Sequence, residues 1–186
     1  MRILTDEELI QKALSGDRSG FTALVNRYKG MSFSLAYRLV GNRENAEEIA
    51  QDAFIKVFRA LPGFRFESKF SSWLYRIVYT TAMTYLRKKT ISTHELSEEI
   101  QEVFGEDEDY SLRFDQKIHK EMVQKVLNLL SPEDSSLMHL YYILEQSLAE
   151  IEGISGVPEE TLKVRLFRAR KKCRGLLEKE LVAYGK

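Results

Sequence analysis

The chain is poor in the residues that staple, break or metallate a fold. Its 186 residues include one cysteine, three prolines and three histidines. A lone Cys173 excludes an internal disulfide and fits a reducing compartment. His94, His119 and His139 are scattered, and no second cysteine completes a zinc-ligand set. No metal and no other cofactor is expected. No apolar run approaches the ~18 residues of a membrane-spanning helix. The opening MRILTDEELIQ also lacks the basic-then-apolar profile of a secretory signal. These absences predict a cytoplasmic protein without membrane insertion.

An excess of one charge is missing too: 28 bases face 28 acids. Zero net charge alone argues against a nucleic-acid binder, but the distribution reverses that. From Arg65 to Lys89 six bases oppose the single acid Glu67, and from Lys163 to Arg174 there are seven bases and no acid. Between them, Glu95 to Asp115 holds nine acids against Arg113. Two basic blocks separated by an acidic one suit two modules that touch polyanions.

Short β-branched alternations are missing, while helix starts recur. Thr5-x-x-Glu8 and Ser147-x-x-Glu150 are capping boxes, and Ser131-Pro132 places a cap before a proline at the first helical position. The first helix should stop near Gly16. The expected fold is all-α, two small helical domains joined by an acidic, flexible, solvated linker. Boundaries fall at residues 1–90, 91–115 and 116–186, the last unit containing a helix-turn-helix. Each unit is small for an independent core and should be marginal alone.

Three constellations carry the functional signal. On a helix from about Glu44 to Ala60, Ala46, Ala50, Ala53 and Val57 line a buried side, flanked by Ile49 and Phe54. Glu48, Gln51, Asp52, Ile55 and Arg59 lie opposite. That side is either a solvated surface with a stray isoleucine or a partner-docking face, an apolar centre within a polar rim. The second constellation runs from Phe64 to Ile77, with Ser71 or Ser72 capping a helix that continues to about Lys89. Leu74, Val78, Thr81 and Tyr85 form one face, and Trp73, Arg76, Thr80 and Arg87 another. Aromatics mixed with bases suit single-stranded DNA, because rings stack on unpaired bases while cations follow phosphates. At least two of Phe64, Phe66, Phe70 and Trp73 should instead pack into the core.

The third constellation spans Gln146 to Lys172. A short capped helix, a glycine-containing turn and a basic second helix make a helix-turn-helix. Leu162, Leu166, Ala169 and Cys173 form the core stripe of the second helix, so Cys173 is a small core hydrophobe. Arg165, Arg168 and Lys172 form a separate stripe that can face DNA.

With these residues in view, the chain resembles the sigma-70 family, and within it the extracytoplasmic-function (ECF) group. NAEEIAQDAFIKVFRAL at 45–61 is similar to the region 2 helix that docks on the polymerase clamp, FSSWLYRI at 70–77 to the promoter-melting segment, and TLKVRLFRARK at 161–171 to the region 4 recognition helix. The resemblance implies an alternative sigma factor, a non-enzymatic partner of core RNA polymerase and promoter DNA, under the control of an anti-sigma factor. It assigns polymerase binding to Glu48, Gln51, Asp52 and Ile55. It assigns −10 recognition and melting to Phe64, Lys69, Trp73, Arg76, Thr80 and Arg87, and −35 recognition to Thr161, Lys163, Arg165, Arg168 and Lys172. Three positions depart from the family pattern. Thr80 stands where Asn is usual, Glu152 replaces a small residue beside Gly153, and Glu160 replaces a Gly before Thr161.

Two other classes compete. A conventional regulator would explain the helix-turn-helix but neither the aromatic–basic segment nor the docking helix. A helical nucleic-acid enzyme would need converging carboxylates or His/Cys ligands, and the acids here sit in the linker and on helix surfaces.

Overall fold

Local capping starts the fold. In a computed structural model that describes residues 3–92 and 123–184, Thr5 Oγ1 accepts from Glu8 N (3.2 Å) while Glu8 Oε2 accepts from Thr5 N (2.8 Å). This capping box opens α1 (Asp6–Leu14), which ends just before Gly16, as the spacing predicts. Asp17 caps α2 (Arg18–Val40) through Ser19 N. The two helices touch at Gly20, where a Cβ would lie 2.4 Å from the Leu9 carbonyl oxygen. Only glycine permits that approach. Asp6 completes the clasp, pairing with Arg27 and accepting from the Tyr28 hydroxyl (2.5 Å).

Asn42 caps α3 (Arg43–Ala60) at 3.0 Å to Asn45 N. Its buried face is Ala46, Ile49, Ala50, Ala53 and Val57, the predicted stripe. The alanines let α3 lie close to α2 and α4. After a 3₁₀ turn at Leu61–Gly63 comes α4 (Phe70–Ser92). Neither Ser71 nor Ser72 caps it. The helix begins before them, with Trp73 N already bonded to Lys69 O (3.1 Å), and Ser72 is buried with its hydroxyl engaged elsewhere. Leu74, Val78 and Thr81 are buried and Tyr85 is half-buried, the face expected to pack.

Helical residues 123–128 begin the described C-terminal part and are α5 here. Ser131 caps α6 (Pro132–Tyr142) and a full capping box opens α7 (Leu148–Ser155), both as read from sequence. Gly156, at φ 75°, turns the chain left-handed into α8 (Glu159–Tyr184). The acidic segment proposed as a linker lies, beyond residue 92, outside the described residues. All described regular structure is helical, so the protein is all-α.

The two helical units share one core. Leu137, Leu140, Ile151, Ile154, Leu162 and Leu166 belong to the same buried cluster as Leu24, Leu35, Leu74 and Val78. Helix α2 packs on α6, and α4 on α7. Each buried leucine or isoleucine is worth roughly 1.5–3 kcal/mol, so neither unit can expose this face cheaply. Val126, Leu127, Leu130 and Cys173 form a smaller cluster, with Cys173 in the core role expected of it.

Where α2 meets α6 the seam is polar. Ser34 Oγ donates to Met31 O (2.9 Å) and also lies 2.8 Å from His139 Nε2. With its one proton committed to Met31, Ser34 must accept, so His139 is the Nε2–H tautomer. Among the described residues its buried Nδ1 has no partner. Burial and the neighbouring Arg38 lower the His139 pKa from 6.5 to about 4. Folding thus favours the neutral ring, and stability falls as pH drops through 6.5 towards 4. His139→Gln keeps a donor for Ser34 and removes the titration. Acidification from pH 7.5 to 4.5 should cost wild type on the order of 2 kcal/mol more than this variant in urea unfolding. The depressed carboxylates Asp17 and Glu150 titrate in both proteins and cancel.

Candidate nucleic-acid interface

Three surfaces emerge from this packing. On α3, burial of the alanine stripe turns Glu48, Gln51, Asp52, Ile55 and Arg59 outward, all exposed. Ile55 is 50% exposed. Beside it lies a residue that the sequence reading missed: Phe58, 59% exposed and edge-on to Phe21 at 5.0 Å between ring centroids. Phe58 follows Ile55 at i+3, so the helical spacing already placed it on that face. The pair forms an apolar centre within a polar rim.

The second surface is the aromatic–basic segment. Phe70 is core, whereas Phe64 and Trp73 are half-buried and Phe66 is exposed. Phe64 gathers the others, at 4.9 Å from Phe66, 6.0 Å from Phe70 and 4.9 Å from Trp73. Phe66 holds φ 57°, a conformation that a bulky side chain adopts only under constraint. Arg76, Thr80 and Arg87 are exposed along one side of α4. The Thr80 hydroxyl donates to Arg76 O (2.8 Å), so its polar group is engaged locally. Lys69 is exposed and pairs with Glu150 of α7 at 3.0 Å.

The third surface is the outer side of α8. Leu162, Leu166, Ala169 and Cys173 are buried, and Thr161, Lys163, Arg168 and Lys172 are exposed. Arg165 differs from its neighbours. It is half-buried, with Nη2 and Nε 3.1 and 3.3 Å from Asp134 Oδ1 on α6. Lys163 pairs with Glu159 at 2.9 Å, which raises its pKa, and Glu160 adds to the rise. Two more residues were missed: Val164, half exposed, and Phe167, 64% exposed, stand apolar on this basic face.

Glu152 has a clear task. Pro158 supplies the first helical acceptor to Leu162 N (3.0 Å) but has no capping side chain, and Glu152 Oε2 accepts from Glu159 N (3.1 Å) instead. A carboxylate there also meets the positive end of the α8 dipole. Neighbouring Gly153 is exposed, with open space where a Cβ would lie.

A two-unit helical fold with a helix-turn-helix and two basic blocks defines a DNA-recognition factor, and comparison with known proteins specifies which. Residues 24–91 match the model of sigma-70 region 2 and residues 120–173 that of sigma-70 region 4. The ECF RNA polymerase sigma factor SigW of Bacillus subtilis is 34% identical over 179 residues, covering 89% of this chain and 92% of that protein. The ECF RNA polymerase sigma-E factor of Escherichia coli is 34% identical over 175 residues, covering 90% and 91%. The sigma factor RpoE of Bartonella quintana, solved with the anti-sigma factor NepR, shares the fold at TM-score 0.70 and 21% identity, over 85% of this chain and 96% of that one. CnrH, solved with the cytosolic domain of CnrY, does so at 0.62 and 23%, over 94% and 97%. The chain belongs to the sigma-70 family, in its extracytoplasmic-function group, and serves promoter-specific initiation of transcription. No helix among the described residues is long and apolar enough to cross a membrane.

The Glu152 cap makes a direct prediction. Glu152→Ala should lower stability by about 0.5–1 kcal/mol, the usual worth of a lost N-cap, read from the urea midpoint at constant slope.

Proposed function

We propose that the chain is a cytoplasmic, non-enzymatic subunit that docks on core RNA polymerase through the outer face of α3. Through α4 it captures unpaired −10 bases, and through α8 it reads the −35 element. Residues 1–90 act as the region 2 domain and 116–186 as region 4, with 91–115 as their connector. The observation that carries this reading is the coexistence, on one chain matched by both family models, of an exposed α3 face with an apolar centre, an aromatic–basic helix and a basic helix-turn-helix.

Roles follow from what each side chain leaves free. Glu48, Gln51, Asp52 and Ile55 supply docking, with Phe58 extending its apolar centre. Phe64 and Trp73 offer ring faces for stacking, and Lys69, Arg76 and Arg87 offer charge to phosphates. Thr80 lines the same side, with its hydroxyl turned back on the helix. On α8, Arg168 is the favoured base reader, since a free guanidinium can take guanine O6 and N7 together. Arg165 must first leave Asp134. Thr161 and Lys163 sit at the helix start, and Lys172, farther along, suits a phosphate. An anti-sigma factor is the expected further partner, as the Bartonella sigma factor was solved in complex with one.

Purified protein added to core RNA polymerase should produce promoter-dependent transcription, and Trp73→Ala should abolish it on duplex templates while a preopened bubble restores it. Sequence-specific nanomolar binding of duplex DNA by the free protein, without stimulation of polymerase, would instead establish a conventional regulator. Replacing Glu48, Gln51 and Asp52 together with alanine should abolish co-elution with core polymerase while changing stability by less than about 0.5 kcal/mol per site. Normal assembly by that variant would refute the α3 assignment.

A further inference from the structure

The outermost stripe of α8 carries no net charge, although rows of bases flank it. Leu162, Leu166, Ala169 and Cys173 face the core. Each has a counterpart two residues earlier, about 200° around the helix. These counterparts are Glu160, Val164, Phe167 and Lys171, all exposed. Two of the four are apolar and one is an acid, so the stripe is poorly made for phosphate. Lys163, Arg170 and Arg174 line one flank, Arg168 and Lys172 the other, and all five are exposed. A helix fills a major groove about 12 Å wide, where base edges form the floor. Phosphates run along both walls. Cations on the two flanks suit those walls, and the uncharged stripe between them suits the floor.

Glu160 stands at the head of that stripe. Three carboxylates gather at the start of α8, and two are already engaged. Glu152 Oε2 accepts from Glu159 N (3.1 Å), and Glu159 pairs with Lys163 at 2.9 Å. Glu160 makes neither a hydrogen bond nor an ion pair among the described residues, although Lys163 is near enough to feel its charge. The positive end of the helix dipole is already met by the other two acids. Towards phosphates Glu160 is repulsive whatever the sequence. Its attractive partner in the groove is an exocyclic amino group, which cytosine offers at N4 and adenine at N6. The adenine amino group lies between two acceptors, its own N7 and thymine O4. That of cytosine has an acceptor, guanine O6, on one side only. A carboxylate therefore meets less repulsion at cytosine.

We infer that Glu160 is a specificity determinant of α8: its carboxylate accepts from the N4 amino group of a cytosine in the −35 element. Val164 and Phe167 cover the groove floor beyond it, and the flanking cations hold the walls. The inference rests on the sigma-factor reading above. It adds a cytosine contact to the guanine contact assigned to Arg168.

The test is transcription by the reconstituted holoenzyme from promoters with a randomised −35 element and a fixed −10 element. At one position wild type should favour cytosine over thymine about tenfold. Glu160→Ala should level that position and leave the preferences at the others in place. Glu160→Gln should move the preference to adenine, because an amide donates to N7 while accepting from N6. The side chain is exposed, so both variants should fold as wild type does. Should one of them fail to fold, the other carries the test. If both variants transcribe every sequence more strongly and keep the wild-type preferences, Glu160 only repels phosphates and the inference is overturned. Unchanged strength with unchanged preferences would overturn it as well, leaving the carboxylate to the helix dipole. A wild type without promoter-dependent transcription would overturn the sigma-factor reading, and the inference with it.

Discussion

One buried apolar cluster holds this molecule together, and it belongs to neither half. Leu24, Leu35, Leu74 and Val78 from the N-terminal helices meet Leu137, Leu140, Ile151 and Leu162 from the C-terminal ones. Units of this size bury too small a fraction of their surface to be comfortably stable alone. Docking α6 and α7 on α2 and α4 enlarges the core that each one shares. The orientation of the helix-turn-helix relative to α4 follows from that packing, as does the shielding of Ser72.

Charge is arranged around this core by local pairing. The composition is neutral overall, with bases gathered in two blocks. Several of those bases are already held: Lys69 by Glu150, Lys163 by Glu159 and Arg165 by Asp134. Exposed pairs of this kind contribute about 0–1 kcal/mol and are screened by salt. They tune rather than block contact with phosphates. Arg165 is the exception, because its half-buried fork onto Asp134 also ties α8 to α6. The same pair thereby orients the recognition helix.

Some of the apolar residues left outside the core share a setting. Ile55 and Phe58 on α3, Phe66 before α4, and Val164 and Phe167 on α8 stand on the three surfaces proposed for docking and DNA contact. Scattered exposed hydrophobes are ordinary. What distinguishes Phe58, one turn beyond Ile55, is contiguity, since Phe21 reaches across from α2 to meet it. An apolar centre ringed by Glu48, Gln51 and Asp52 is the composition of an interface core and its rim.

Much of the fold was legible in the sequence because its signals are local. Capping boxes at Thr5 and Ser147, the Ser131-Pro132 start, the alanine stripe of α3 and the stripe from Leu162 to Cys173 each depend on residues within a turn or two of one another. The family resemblance was local in the same sense, carried by three uninterrupted motifs. Where local reasoning erred, a distant residue had intervened. Ser72 resembled a cap, but its hydroxyl is claimed by Gln146, 74 positions away. Arg165 was no error of that kind: it keeps the periodicity it shares with Arg168, and packing adds Asp134, 31 positions earlier, as its partner. Ser34 and His139, 105 residues apart, carried no signal at all. Helix boundaries, buried stripes and charge blocks are therefore properties of the sequence, since neighbours along the chain determine them. Which polar groups are buried, paired or orphaned was decided by tertiary structure alone, because a hydrogen bond depends on distance in space and not along the chain.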